Sequence, residues 1–300
     1  MQFITPDVAS MKKRSRSVLV VGSLAIAFAA ILFGAGEVLI APATAVIGSA
    51  PLDLDAQSVT LESSPGESIS GWFSSGSPGL GAVLLLHGVR SDRRQMLERA
   101  RFLHNAGYAV LLIDLPAHGE SSGAHITFGF REAEGVRASL QFLKKTLPNE
   151  KTAVIGVSLG AASIVLADVT PSPSAVVLES MYPTIEEAVA DRLRLRLGSL
   201  GAGLAPLLVF QLPIRLGITS SQLRPIDHLA SLHAPILVAS GTEDLHTTVV
   251  ESKGIFDAAM QPKEIWLVEG AGHVDLYRFN PKAYETKVFG FLAKYLRNAN

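Results

Sequence analysis

Residues 151–161 read Lys151-Thr-Ala-Val-Ile-Gly156-Val-Ser158-Leu-Gly160-Ala161, an apolar run that leads directly into Gly-x-Ser-x-Gly and then into a helix-forming stretch. The pattern predicts a strand, a sharp turn and a helix. Such a turn packs the strand end against the helix start, so positions two before and two after the serine have no room for a side chain. Glycine stands at both. The hydroxyl of Ser158 is then pushed out over the sheet as a candidate nucleophile.

The surrounding chain supports a sheet for this turn to sit on. Ala82–Leu86 and Tyr108–Asp114 are continuous apolar runs, the pattern of parallel strands covered on both faces. Ser174–Ser180, Ala234–Gly241 and Glu264–Val268 read as further strands, and Ser58–Leu61 with Ser68–Phe73 as an antiparallel hairpin that starts the sheet. Helices are predicted after Ser91, with Met96, Ala100 and Leu103 on one face, over Phe128–Leu147 up to Pro148, over Ala161–Ala167, and over Tyr284–Leu296.

At 300 residues and 48% hydrophobic content, the chain can bury one large core. It reads as one domain with an N-terminal extension. The absence of cysteine excludes thiol nucleophiles, disulfides, iron–sulfur ligation and cysteine-based zinc sites. Net charge is −1, of which Lys12, Lys13, Arg14 and Arg16 against Asp7 make the first 17 residues +3 and leave −4 for the rest. No basic face for nucleic acid follows from this. There is no His-Glu-x-x-His, no phosphate-binding Gly-x-x-x-x-Gly-Lys and no dinucleotide fingerprint, so neither a metal nor a cofactor is expected. His104, His125, His228, His233 and His246 fall in no recognisable constellation.

With these motifs together, residues 57–297 resemble the α/β-hydrolase superfamily, in particular its membrane-anchored branch and the proteins grouped with serine aminopeptidases and monoacylglycerol lipases. The resemblance implies a mostly parallel sheet with helices on both faces and an inserted helical lid. It also implies a catalytic triad in the chain order Ser158, Asp244, His273. The family's Gly-x-x-Asp pattern falls on Gly241-Thr-Glu-Asp244, and the loop Glu269-Gly-Ala-Gly-His273 carries a histidine after small residues that let it swing back toward Ser158. A minority of the superfamily takes its acid from the preceding strand, where Glu179 stands. The family's His-Gly-x turn falls on His87-Gly88-Val89 and places the backbone N–H groups of Val89 and Leu159 as oxyanion donors. Here Gly88 is expected to let the backbone approach the nucleophile. His87 reads as a loop-ordering group. Asp114 and His118, in an Asp-x-x-x-His-Gly-x-Ser match, precede the serine and read as loop framework.

Val18–Gly36 is an uncharged apolar run long enough, as a helix, to cross most of a bilayer core of about 30 Å. The domain organisation is read as a basic segment at 1–17, a transmembrane anchor at 18–40, a linker at 41–56 and the hydrolase domain at 57–300. The basic flank puts the domain on the non-cytoplasmic side of the cell membrane in a single pass. The alternative is a cleaved signal peptide, with small-residue sites around Ala43 and Ala45, and secretion.

Residues 181–233 separate two core strands and are too long for a simple connection, which makes them the lid. Thr184–Arg196 is charged and helical in pattern, and 197–214 carries no charge. That apolar half is either a buried helix pair, an acyl-pocket wall built from Leu207, Leu208 and Phe210, or, against Pro206 and Pro213, a second span. The function expected is hydrolysis of carboxylic esters, lipid or acyl esters among them, with a small-molecule ester and the membrane as partners. Thioesterase or serine peptidase chemistry on the same triad, and a noncatalytic scaffold that binds a lipid or partner, are the alternatives.

Overall fold

The computed structural model describes residues 8–64 and 66–297, with side chains from Leu19 onward, so the basic segment read at 1–17 has no described side chains. The chain divides into two units, Met1–Ile40 and Ala41–Asn300. The first holds one helix, α1 (Val8–Ile40). Within it, Leu19–Ile40 is 22 residues of a length and composition able to cross a membrane.

The second unit is an α/β domain. Its short first strand, β1 (Ala43–Thr44), is followed by the hairpin β2 (Gln57–Ser64) and β3 (Glu67–Ser74), then β4 (Ala82–Leu86), α2 (Leu97–Asn105), β5 (Ala109–Ile113) and β6 (His118–Gly119). Next come α3 (Glu132–Thr146), β7 (Thr152–Val157), α4 (Leu159–Leu166) and β8 (Ala175–Glu179). The lid follows as α5 (Ile185–Leu197), α6 (Ser199–Ala202), α7 (Ala205–Val209), α8 (Leu212–Leu216) and α9 (Pro225–His228). The chain closes with β9 (Ile236–Gly241), α10 (Val249–Ala258), β10 (Lys263–Val268), α11 (Leu276–Phe279) and α12 (Pro281–Leu296).

Eight strands form one sheet in the order β10-β9-β8-β7-β4-β5-β3-β2. The pairs from β10 to β5 are parallel, and β3 joins β5 and β2 antiparallel. The unbroken apolar runs have a direct cause, because alternate residues of each central strand enter two different cores. Leu84 and Leu86 of β4 pack under α3 and α4 with Val136 and Ile164. Val83 and Leu85 pack on the other face under α2 and α12, with Leu103, Val288 and Leu292. With every central strand parallel, all of their carboxyl ends lie along one edge, where an open α/β sheet builds its site.

Three local readings are corrected. The residue that caps the turn after β4 is Asp92, not Ser91, since its side chain accepts from Arg94 N at 3.0 Å and opens a 3₁₀ turn before α2. Helix α3 starts at Glu132 rather than Phe128, because Phe128 and Gly129 have φ of 54° and 106°. Buried Glu132 instead gathers the N–H groups of Thr127 and Gly129, each at 2.8 Å, and closes that loop. The segment 41–56 is not free spacer: Ala43 N and Ala45 N donate to Ala117 O and Gly119 O, and Leu54 is buried in the core.

The lid is a small helical layer with its own core of Ile185, Leu212, Ile218 and Leu223. Thr184 caps α5 by accepting from Glu187 N at 3.2 Å. Leu208 is buried there, whereas Leu207 and Phe210 are exposed, so the three side chains expected to line one pocket do not share a face.

Candidate active site

Ser158 sits between β7 and α4 with φ 49° and ψ −103°, a region that a residue with a side chain enters at a cost of about 1–3 kcal/mol. Its own backbone holds it there. Ser158 N donates to Glu179 O at 2.8 Å, and Ser158 O accepts from Ala162 N at 3.0 Å. The flanking glycines have no alternative: a Cβ at Gly156 would lie 2.6 Å from Ala161 N, and one at Gly160 would lie 2.6 Å from Leu86 O. At Gly88, by contrast, the nearest atom to an added Cβ is 3.6 Å away, so the close approach expected there is not what requires glycine. Gly88 N instead donates to Gln95 Oε1 at 2.8 Å, which shapes the turn. Among the described residues no backbone acceptor receives the N–H of Val89 or of Leu159.

His87 is fully buried, and its hydrogen bonds define its tautomer. Nε2 accepts from Leu115 N at 3.0 Å, so Nδ1 carries the proton and donates to Gly88 O at 2.7 Å. Burial, helped by the neighbouring His118, pushes its pKa down to about 3. It is a neutral brace between two loops. His118 lies edge-on to it at 5.1 Å and is bonded through Nδ1 to Pro116 O. Asp114 accepts from Arg93 N and Nη1 at 2.8 and 2.6 Å and from Glu120 N at 2.9 Å. All three groups are committed to loop structure.

The two candidate acids have separate partners. Glu179, 1% exposed, is paired with Arg99 of α2 through Nη2 at 2.6 Å and bonded to Tyr284 Oη. The same guanidinium holds Asp275, two residues past His273, at 2.9 Å. Arg99 therefore ties the end of β8 to the histidine loop. Asp244 follows β9, and its Oδ2 lies 2.8 Å from His273 Nδ1. Its Oδ1 accepts from His246 N and Thr247 N at 2.8 and 2.9 Å. Burial pushes this carboxyl up, but the hydrogen bond and charge of His273, with the two N–H groups, outweigh it and hold Asp244 below the usual carboxylate range. An ionised Asp244 keeps the His273 proton on Nδ1, which leaves the lone pair on Nε2.

Two parts of this arrangement have little or no signature in the sequence. The Arg99 brace joins residues 80 and 176 positions apart. The ring of His246 lies 4.8 Å from that of His273. Its position two residues after Asp244 is the one clue the chain offers.

The family model described as "Alpha/beta hydrolase family" matches residues 83–285. The chain belongs to the α/β-hydrolase family. Among its relatives, "Uncharacterized protein Rv2307c" of Mycobacterium tuberculosis H37Rv is 32% identical over 222 residues, 72% of each chain. "Uncharacterized protein YqkD" of Bacillus subtilis 168 is 24% identical over 214 residues, 70% of each. Of solved structures, the Pyrococcus furiosus esterase Pf2001 matches with a TM-score of 0.70 at 23% identity, over 86% of this chain and 98% of its own. A thermophilic esterase from Thermogutta terrifontis matches with 0.59 at 19%, over 80% and 100%. At these identities the two structures speak for the fold.

Proposed function

We propose that this α/β-hydrolase cleaves carboxylic esters through an acyl-enzyme on Ser158. In this mechanism His273 Nε2 takes the proton of the Ser158 hydroxyl as the oxygen attacks the ester carbonyl. The negative charge that develops on the carbonyl oxygen is met by the N–H groups of Val89 and Leu159. His273 then returns the proton to the leaving alcohol, and water, activated by the same imidazole, releases the acid and frees Ser158. Asp244 fixes the imidazole tautomer and stabilises its charged form.

The observation that carries this reading is the 2.8 Å bond between Asp244 Oδ2 and His273 Nδ1, on loops at the same sheet edge as Ser158. It favours Asp244 over Glu179, whose carboxylate is occupied by Arg99 and Tyr284. The elbow conformation of Ser158 and the two amides that meet no backbone acceptor among the described residues are the further supports. Thioester and amide substrates use the same groups, and esters are favoured here because the solved structures of similar fold named above are esterases. The N-terminal helix is read as a retained membrane anchor.

A fluorophosphonate probe tests the nucleophile. Labelling of the wild type and none of Ser158→Ala is expected, and a folded wild type that stays unlabelled would sink the enzyme reading in favour of a binding scaffold.

A further inference from the structure

Two polar groups gather around the Asp244–His273 pair without being used by the triad. His246 is the first. Its backbone N–H is bound to Asp244 Oδ1, and its ring packs on that of His273 with 4.8 Å between centroids. Its Nδ1 is buried and meets no hydrogen-bond partner among the described residues. Burial, then the charges of His273 and Arg192, pull its pKa down, so the ring is neutral near pH 7. A neutral imidazole carries its proton on either nitrogen, and Nδ1 can therefore serve as a donor.

Arg192 of α5 is the second. Ile185, Ala188 and Arg192 recur at helical spacing on one face of α5, and the first two are buried, Ala188 in the main core. Arg192 thus projects toward the domain and is itself largely buried. The chain leading into this helix is joined to the acid loop, since Thr247 Oγ1 donates to Ser180 O at 3.2 Å. The guanidinium lies close enough for its charge to act on Asp244 and His246. Its one hydrogen bond among the described residues runs from Nη1 to Ala188 O at 2.8 Å. The nearby carboxylates are committed elsewhere: Asp191 is paired with Arg194, Asp244 Oδ2 is bound to His273, and Asp244 Oδ1 takes two backbone N–H groups. Burial accordingly depresses the Arg192 pKa more than Asp244 and Asp191 raise it. A buried charge so poorly compensated is costly until a counter-charge reaches it.

We infer that Arg192 and His246 form a subsite beside the proposed triad for an anionic group of the substrate, the guanidinium supplying the charge and the imidazole a hydrogen bond. As a substrate assignment this rests on the ester chemistry proposed at Ser158; as a binding site it stands on these two groups. The anion is carried either by the acyl half of the ester, as a carboxylate, or by the alcohol half, as a phosphate.

The test uses the full chain in detergent and compares kcat/KM within two pairs of esters. One pair is p-nitrophenyl pentanoate and the mono-p-nitrophenyl ester of glutaric acid; the other is the butyryl ester of glycerol and that of glycerol phosphate. The wild type is expected to prefer the anionic member of one pair by about tenfold to a hundredfold, the worth of a hydrogen bond to a charged group, mainly through KM. Which pair responds tells which half carries the anion. Arg192→Gln is expected to bring the ratio near one, Arg192→Lys to keep part of it, and His246→Phe, which retains a ring against His273, to reduce it. Arg196→Gln, exposed and one turn further along α5, keeps the ratio. Melting temperature with added glutarate or glycerol phosphate reads binding without turnover. One of the two is expected to raise it in the wild type and in Ser158→Ala but not in Arg192→Gln, which by itself melts no lower than the wild type because it sheds a poorly compensated charge. If no ester is turned over, the ester reading fails and the melting shift alone decides this inference. Turnover without preference for either anionic ester overturns it, as does a preference or shift that survives in Arg192→Gln or falls equally in Arg196→Gln. Melting of Arg192→Gln several degrees below the wild type would make Arg192 a structural group and overturn it as well.

Discussion

Glu179→Gln and Asp244→Asn each trade a buried carboxylate for its amide, and their consequences are expected to fall on different properties. Glu179 is held by Arg99, both side chains being 1% exposed, so the amide leaves a buried guanidinium without its main counter-charge. Breaking such a pair costs about 3–5 kcal/mol. Asp275 stays on Arg99 Nη1 at 2.9 Å and places the expected cost near the lower end. A loss of about 3 kcal/mol lowers the melting temperature of a domain this size by roughly 6 °C. Turnover per folded molecule persists. Asp244→Asn removes the acceptor that keeps the His273 proton on Nδ1, and an analogous tautomer loss in a serine protease triad lowers kcat on the order of 10⁴-fold. Its expected signature is lost turnover in a folded protein. The assay is kcat on a p-nitrophenyl ester, with folded enzyme counted from the melting curve and circular dichroism. If Glu179→Gln abolishes turnover with melting unchanged while Asp244→Asn stays active, the acid belongs at the end of β8 and the reasoning fails.

The stability of the domain is expected to depend on pH through Glu251 of α10. Burial, together with the facing Asp191 of the lid helix, pushes the Glu251 carboxyl up to about 7, although its bonds with Thr248 pull the other way. From the ordinary glutamate range up to about pH 7 the folded state holds a proton that the unfolded chain gives up, so stability falls as pH rises through that window. Denaturant midpoints at pH 5 and pH 8 should differ less for Glu251→Gln than for wild type, and equal slopes would refute this. For the N-terminal helix, retention as an anchor predicts a protein that stays in the membrane pellet after a salt wash and begins at or near Met1. A mature N-terminus near residue 44 or 46 would make it a cleaved signal instead.

Features set by neighbours in the chain were legible without coordinates. Gly156 and Gly160 announced the turn because the clash they avoid is with atoms a few residues away or on the adjoining strand end. The apolar runs of β4, β5 and β8 announced a sheet covered on both faces because each residue's environment there is set by strand periodicity. Helix starts were less legible. Ser91 and Asp92 are both able to cap the turn after β4, and the sequence does not rank them; the bond from Arg94 N falls to Asp92.

Long-range pairing was decided only when the chain folded. Asp244 and Glu179 are both candidate acids along the sequence, and the proposal favours Asp244 because Arg99, 80 positions before Glu179, pairs with the other. Residues 41–56 read as a spacer because small and proline residues carry no periodic signal, yet their backbone N–H groups find acceptors on a loop more than 70 positions away. The uncharged lid segment had several equivalent readings for the same reason. Composition states how much apolar surface a segment carries, and only the packing of Leu208 and Leu212 inward and of Leu200 and Phe210 outward decides where that surface goes.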